Sequence, residues 1–140
     1  MTTIHRMTNT EAAEIQDRVR YFLGQRGEIV FAYLHGSFLK GDFRDVDIAI
    51  FLTERGEREA LEYELNLESG LKDLTGFSAD VRALNHSPLS FRFNVMKNGI
   101  LLFSRDEAVR SDFEILSIVE YHDLDFHRKR YREEALGIKQ

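Results

Sequence analysis

Two aspartates, Asp45 and Asp47, open a segment whose side chains alternate, with Val46, Ile48, Ile50 and Leu52 on one side and Asp45, Asp47, Ala49 and Phe51 on the other. Residues i and i+2 of a strand project to the same side, so a strand here sets two carboxylates next to each other. Like charges repel, and such a pair persists where it is solvated, shares a proton or binds a divalent cation. Hard oxygen donors of this kind suit Mg²⁺ that also holds substrate phosphates. Shortly before them stands His35-Gly36-Ser37. Gly36 lets the backbone approach a ligand, and Ser37 offers a hydroxyl and an amide at the start of a helical turn, where outward-pointing amides form an anion site. A third carboxylate, Asp80, interrupts another alternating run on its more polar face and is a candidate metal ligand or base. Lys40 and Arg44, between the glycine turn and the aspartates, are candidate phosphate contacts.

A phosphate site beside a metal site is what transfer of a nucleotidyl group requires, since position and charge supply most of the catalysis. Each part alone has a plainer reading. Gly-Ser is a turn, Asp-x-Asp also occurs at solvated strand starts and in sugar-nucleotide transferases, and Asp80 could be a surface aspartate. Only their order along the chain makes the signal specific. His35 either touches a phosphate or is a buried histidine filling the strand end.

The elements that must position these residues can be read from periodicity. Thr8-Asn9-Thr10-Glu11 fits a capping box, and Ala12, Ile15, Val19 and Phe22 follow at helical spacing, which predicts a helix to about Leu23 ended by Gly24 and Gly27. Residues 28–35 form an apolar run rich in aromatic and β-branched side chains, as in a strand buried on both faces. A strand over 45–52, an amphipathic helix over 57–74 and a strand over 77–84 follow. Ser87-Pro88 has the form of a helix start and Asn98-Gly99 that of a stop. Residues 100–103 suit an edge strand, and Asp106 to about Leu136 one long or broken helix. In that helix Phe113, Leu116, Tyr121, Phe126 and Tyr131 are expected to pack on the sheet, the alternative being a partner surface.

The chain has 140 residues, of which 43% are hydrophobic and 31% charged, so it is expected to form one domain over 1–140 around one core. It contains no cysteine, which excludes a disulfide framework and thiolate metal sites and, with no secretory leader pattern, points to the cytoplasm. No apolar run reaches membrane-spanning length. A net charge of -5 argues against nucleic acid as a partner, since phosphate-backbone binding normally shows as a basic patch. The local basic run His127 to Arg132 is followed at once by Glu133 and Glu134 and reads as a solvated helix face. His122 and His127 do not have the i, i+4 spacing of helical metal ligands.

The stretch GSFLKGDFRDVD from Gly36 to Asp47, with Asp80 after it, resembles the minimal nucleotidyltransferases of the DNA polymerase β-like superfamily, whose signature is Gly-Ser, a spacer, Asp-x-Asp and a later aspartate. The resemblance implies an α/β (α+β) nucleotidyltransferase fold with a small mixed central sheet flanked by helices. It further implies ATP or another nucleoside triphosphate as donor and two Mg²⁺ ions. By that resemblance Gly36 and Ser37 hold the triphosphate, Asp45 and Asp47 ligate both metals, and Asp80 ligates one and helps deprotonate the acceptor. The spacer from Ser37 to Asp45 is shorter by a few residues than in many members.

Residues 98–103 and 110–126, the latter ending Tyr121-His122-Asp123-Leu124-Asp125-Phe126, are similar to the C-terminal part of MntA-type antitoxins of HEPN/MNT toxin-antitoxin modules. In that family the small transferase adds AMP to a tyrosine of a partner HEPN toxin, an all-helical ribonuclease. The resemblance thus implies a HEPN-type partner. Two alternatives stand beside it: a binding-only antitoxin that neutralises its partner by complex formation, and a transferase acting on a small molecule. Members of the last kind usually carry an extra helical domain, for which this chain has little room. A homo-oligomer is a further possibility.

Overall fold

A computed structural model describes residues 4–137. In chain order its elements are β1 (His5–Arg6), α1 (Asn9–Gly24), β2 (Ile29–His35), a 3₁₀ turn (Gly36–Lys40), β3 (Asp42–Phe43), β4 (Val46–Leu52), α2 (Glu57–Thr75) and β5 (Ala79–Ala83). A second 3₁₀ turn (Leu84–His86), α3 (Leu89–Asn98), β6 (Ile100–Ser104) and α4 (Glu107–Leu136) complete it. The capping box forms as read: the Thr8 hydroxyl accepts the Glu11 amide while the Glu11 carboxylate accepts the Thr8 amide.

The fold is α/β. Its main sheet runs β5-β4-β2-β6, with β2 antiparallel to both β4 and β6 and β4 parallel to β5, so it is mixed. The expected edge strand is β6, and the opposite edge is β5. Outward-facing amides of β5 do not stay bare: Val81 and Ala83 donate to the carboxylates of Glu68 and Glu64 on α2, which blunts that edge against pairing with another strand.

Alternation along β2 and β4 divides the core in two. On one face Ala32, Leu34, Ile48 and Ile50 meet Ile15, Val19 and Leu23 of α1 and Leu67 and Leu71 of α2. On the other Phe31, Tyr33 and Ala49 meet Val95 of α3, with Phe51, Phe91 and Phe113 packed around them. The Tyr33 hydroxyl donates to Glu114 of α4; burial and that carboxylate raise its pKa.

The structure adds two features and corrects one expectation. One is the 3₁₀ turn Leu84–His86, where the expected strand over 77–84 stops at Ala83; the other is the two-residue ladder of β1 and β3, flanked by an exposed ion pair between Arg6 and Asp42 at 2.9 Å. Alongside it His5, Phe43, Phe77 and Phe38 form a chain of ring contacts 4.6 to 5.5 Å apart. The correction concerns α4, a continuous helix. Phe113 packs on the sheet and Tyr121 stacks on Phe93 of α3 at 4.1 Å, but Leu116, Phe126 and Tyr131 are 53%, 60% and 75% exposed. From Phe126 to Leu136 every side chain except Glu133 is exposed, so this part of the helix makes little contact with the body. The basic run His127 to Arg132 lies in it, solvated as expected. No helix among the described residues is long and apolar enough to cross a membrane.

Candidate active site

The candidate residues converge where the C-terminal end of β2 meets the N-terminal ends of β4 and β5. In the sheet His35 pairs with Asp47, and Asp47 with Asp80. Parallel register thus puts the middle aspartate of the motif directly beside the aspartate of the next strand, on the face opposite the aliphatic core. Asp45 immediately precedes β4 and is half-buried. Burial first, then the charges of Asp80 and Asp45, pushes the Asp47 carboxyl up to about 6, with Arg82 pulling the other way.

Gly36 is fixed by this arrangement in two ways. Its φ of +78° lies in the left-handed region that favours glycine, and a Cβ there would overlap the Asp47 carboxylate. Gly36 therefore makes room for a carboxylate, in addition to whatever ligand its backbone meets. Ser37, half-buried, and exposed Lys40 lie in the 3₁₀ turn that begins at Gly36; exposed Arg44 lies between β3 and β4. Neither Lys40 nor Arg44 takes part in an ion pair among the described residues. The short spacer is well anchored, since Phe38 and Phe43, near its two ends, are buried in the core.

Two neighbours of the aspartates carry weight that the motif did not show. Arg82, two residues after Asp80 and on the same face, pairs with it at 3.5 Å and lies 5.4 Å from the Phe91 ring. Its signal was the alternation of β5, which sets Asp80 and Arg82 together. His35 stands at the strand end with its Nε2 buried without a partner, its ring edge-on to Phe91 at 5.5 Å and its pKa pushed down by burial.

Can this set hold a metal? Among the described residues no three acidic or histidine side chains close around one point. What is present is an open set of all-oxygen donors, Asp45, Asp47 and Asp80, with the pKa of Asp47 raised by burial and by the other two. That suits a divalent ion whose remaining ligands come from phosphate and water, and a cation there would relieve the repulsion that raises Asp47.

A family model described as "Polymerase beta, Nucleotidyltransferase" matches residues 17–108, a span that includes Gly36, Ser37, Asp45, Asp47 and Asp80. No curated protein matches the chain. Among solved structures, the chain is similar to one from a tri-AMPylated Shewanella oneidensis HEPN toxin in complex with MNT antitoxin, with a TM-score of 0.69 and 17% identity over 89% of this chain and 98% of that one. It is likewise similar to a chain of the toxin-antitoxin MntA-HepT, with a TM-score of 0.63 and 16% identity over 92% and 99% of the two chains. A toxin-antitoxin structure with AMP-PNP gives a TM-score of 0.66 and 20% identity over 86% and 98%. At these identities the likeness is one of fold.

Proposed function

The chain belongs to the polymerase β nucleotidyltransferase family, and from that premise we propose that it transfers AMP from ATP, with Mg²⁺, to a tyrosine hydroxyl of a HEPN-type helical partner and so acts as that partner's antitoxin. The observation that carries the reading is the side-by-side register of Asp47 and Asp80, with Asp45 next to them and Gly36 packed against Asp47. The partner is suggested by solved structures of the same fold, which include MNT antitoxin with a HEPN toxin that carries AMP.

On this reading the residues divide the work. The Gly36 and Ser37 amides and the Ser37 hydroxyl cradle the triphosphate, and Lys40 and Arg44 reach its outer oxygens. Asp45, Asp47 and Asp80 would hold the divalent ions, which would offset the charge of the triphosphate and of the departing pyrophosphate. The acceptor oxygen forms a bond to the α-phosphorus, the bond from that phosphorus to the bridging oxygen breaks, and pyrophosphate leaves with the electron pair. Asp80 takes the proton from the acceptor hydroxyl, with Arg82 orienting its carboxylate.

The test is incubation of the protein with labelled ATP, Mg²⁺ and the helical protein encoded beside it. Label should appear on the partner's tyrosine and vanish with Asp45→Asn plus Asp47→Asn. A double variant that transfers nothing yet neutralises the partner as well as the native chain would instead establish the binding-only antitoxin.

A further inference from the structure

At the far end of the sheet from the aspartates lies a cavity of about 870 Å³. Val30, in its wall, and His35, at the candidate active site, stand at opposite ends of β2, roughly 17 Å apart at the rise of a strand. The two sites are separate.

The charge of this cavity is opposite to that of the chain. Its lining includes Arg55, Arg92 and Arg105 against two acids, Glu54 and Asp106, on a protein of net charge -5. Asp106 is already engaged as the cap of α4, accepting the Val109 amide at 3.1 Å. Arg105 is engaged too, donating to the carbonyls of Ile29, Gly24 and Arg26, neutral acceptors that leave its charge uncancelled. Arg55 donates to Thr53 and lies 5.0 Å from the Tyr63 ring.

Arg92 stands apart from these. Its Nε is buried with no hydrogen-bond partner, and none of the ion pairs among the described residues includes it. Its guanidinium stands 5.7 Å from the ring of Phe113, which in turn lies 5.0 Å from the ring of Phe51. Arg92 as a whole is half-buried, so its outer guanidinium nitrogens, which no carboxylate of the described residues engages, remain open to a partner from solution. An arginine fork matches the planar or tetrahedral oxygens of a carboxylate or phosphate, and an aromatic wall matches a flat apolar body.

We infer that this cavity binds a small organic anion, a phosphate monoester or carboxylate with a flat apolar body, its charged group paired with Arg92 and its body lying against Phe51 and Phe113. The site owes nothing to the triphosphate cradle and stands whether or not the chain transfers AMP.

Phenyl phosphate is the probe, titrated into the full chain and followed by ¹H-¹⁵N NMR, with inorganic phosphate and phenol as separate arms. The expected result is saturable shifts at the amides of Val30, Phe51 and Phe113, with phenyl phosphate binding about tenfold or more tighter than either fragment. Arg92→Gln should weaken it about tenfold or more, since a charge-assisted pair is lost, and Arg92→Lys, keeping charge without the fork, should fall between. Asp47→Asn should leave the affinity unchanged. The inference is overturned if no saturable shift appears, if Arg92→Gln in a folded protein binds as the native chain does, or if inorganic phosphate binds equally well. It is also overturned if the shifts fall at His35 to Asp47 and disappear with Asp47→Asn.

Discussion

The two faces of the central sheet differ in kind. Against α1 and α2 the sheet presents aliphatic side chains, Leu34, Ile48 and Ile50, and buries no ionisable group among them. Toward α3 and α4 it presents aromatic rings in the middle, with His35, Asp47, Asp80 and Arg82 at one end and, at the other, a cavity into whose lining α3 brings Arg92. A face that binds charged ligands must hold carboxylates together and leave donors unpaired, and both cost stability. Such a face is tolerated when the opposite one is a closed apolar layer. The contrast is sharpest within one dipeptide, since Asp47 and Ile48 are neighbours in the chain and point to opposite faces.

That dipeptide allows the largest effects to be separated. Asp47→Asn is expected to cut nucleotidyl transfer by at least about 10³-fold, as loss of a group that organises charge at the reacting phosphate does. Its melting temperature at neutral pH should be no lower than that of the native chain. Ile48→Ala should do the reverse, costing about 2–5 kcal/mol of stability through the cavity it leaves while the rate per folded molecule stays near native. Denaturant unfolding alongside a labelled-ATP assay checks both. Equal loss of activity from the two variants would show that the faces are not independent.

A glycine pair separates backbone strain from site geometry on a smaller scale. Gly36 and Gly41 have φ values of +78° and +96°, so alanine is strained at either, by about 1–3 kcal/mol. A Cβ at Gly41 meets nothing within 4 Å, whereas one at Gly36 overlaps Asp47. Both variants should therefore melt lower, but only Gly36→Ala should also lose transfer activity per folded molecule. Matching activities would mean that Asp47 can move without consequence.

Much of this contrast was legible in the sequence because it is local. Alternation in residues 45–52 assigns Asp47 and Ile48 to opposite sides without knowledge of the partners, and the capping box at Thr8 and Glu11 marks α1 from residues within one turn. Which strands lie next to each other is not local information. The pairing of Asp47 with Asp80 depends on the parallel placement of β5 beside β4, and periodicity gives only the face on which each stands. β1 and β3 are too short for any period to show, and they pair beside a ring cluster drawn from three parts of the chain. Phe126 and Tyr131 misled for the opposite reason: aromatic residues at plausible helical positions imply burial, yet whether another element reaches that part of α4 is decided by where α3 and the sheet lie.

The smallest expected effect tests the proposed cost of the charged face directly. Asp47 is raised in the folded protein from 3.8 to about 6, so the folded state holds this proton more tightly than the unfolded chain does. Stability contributed by the group is then highest when it is protonated, falls as pH rises from about 4 through about 6, and stays at its lowest above that, because the folded state binds more protons across the window. In chelator, the melting temperature of Asp47→Asn minus that of the native chain should be near zero at pH 4 and positive at pH 7.5, at about 2–4 °C for each kcal/mol relieved. Mg²⁺ should narrow the gap by stabilising the native chain alone. A gap that does not change with pH would mean that burial and the charges of Asp80 and Asp45 do not raise Asp47. Equal stabilisation of both proteins by Mg²⁺ would mean that the ion binds elsewhere.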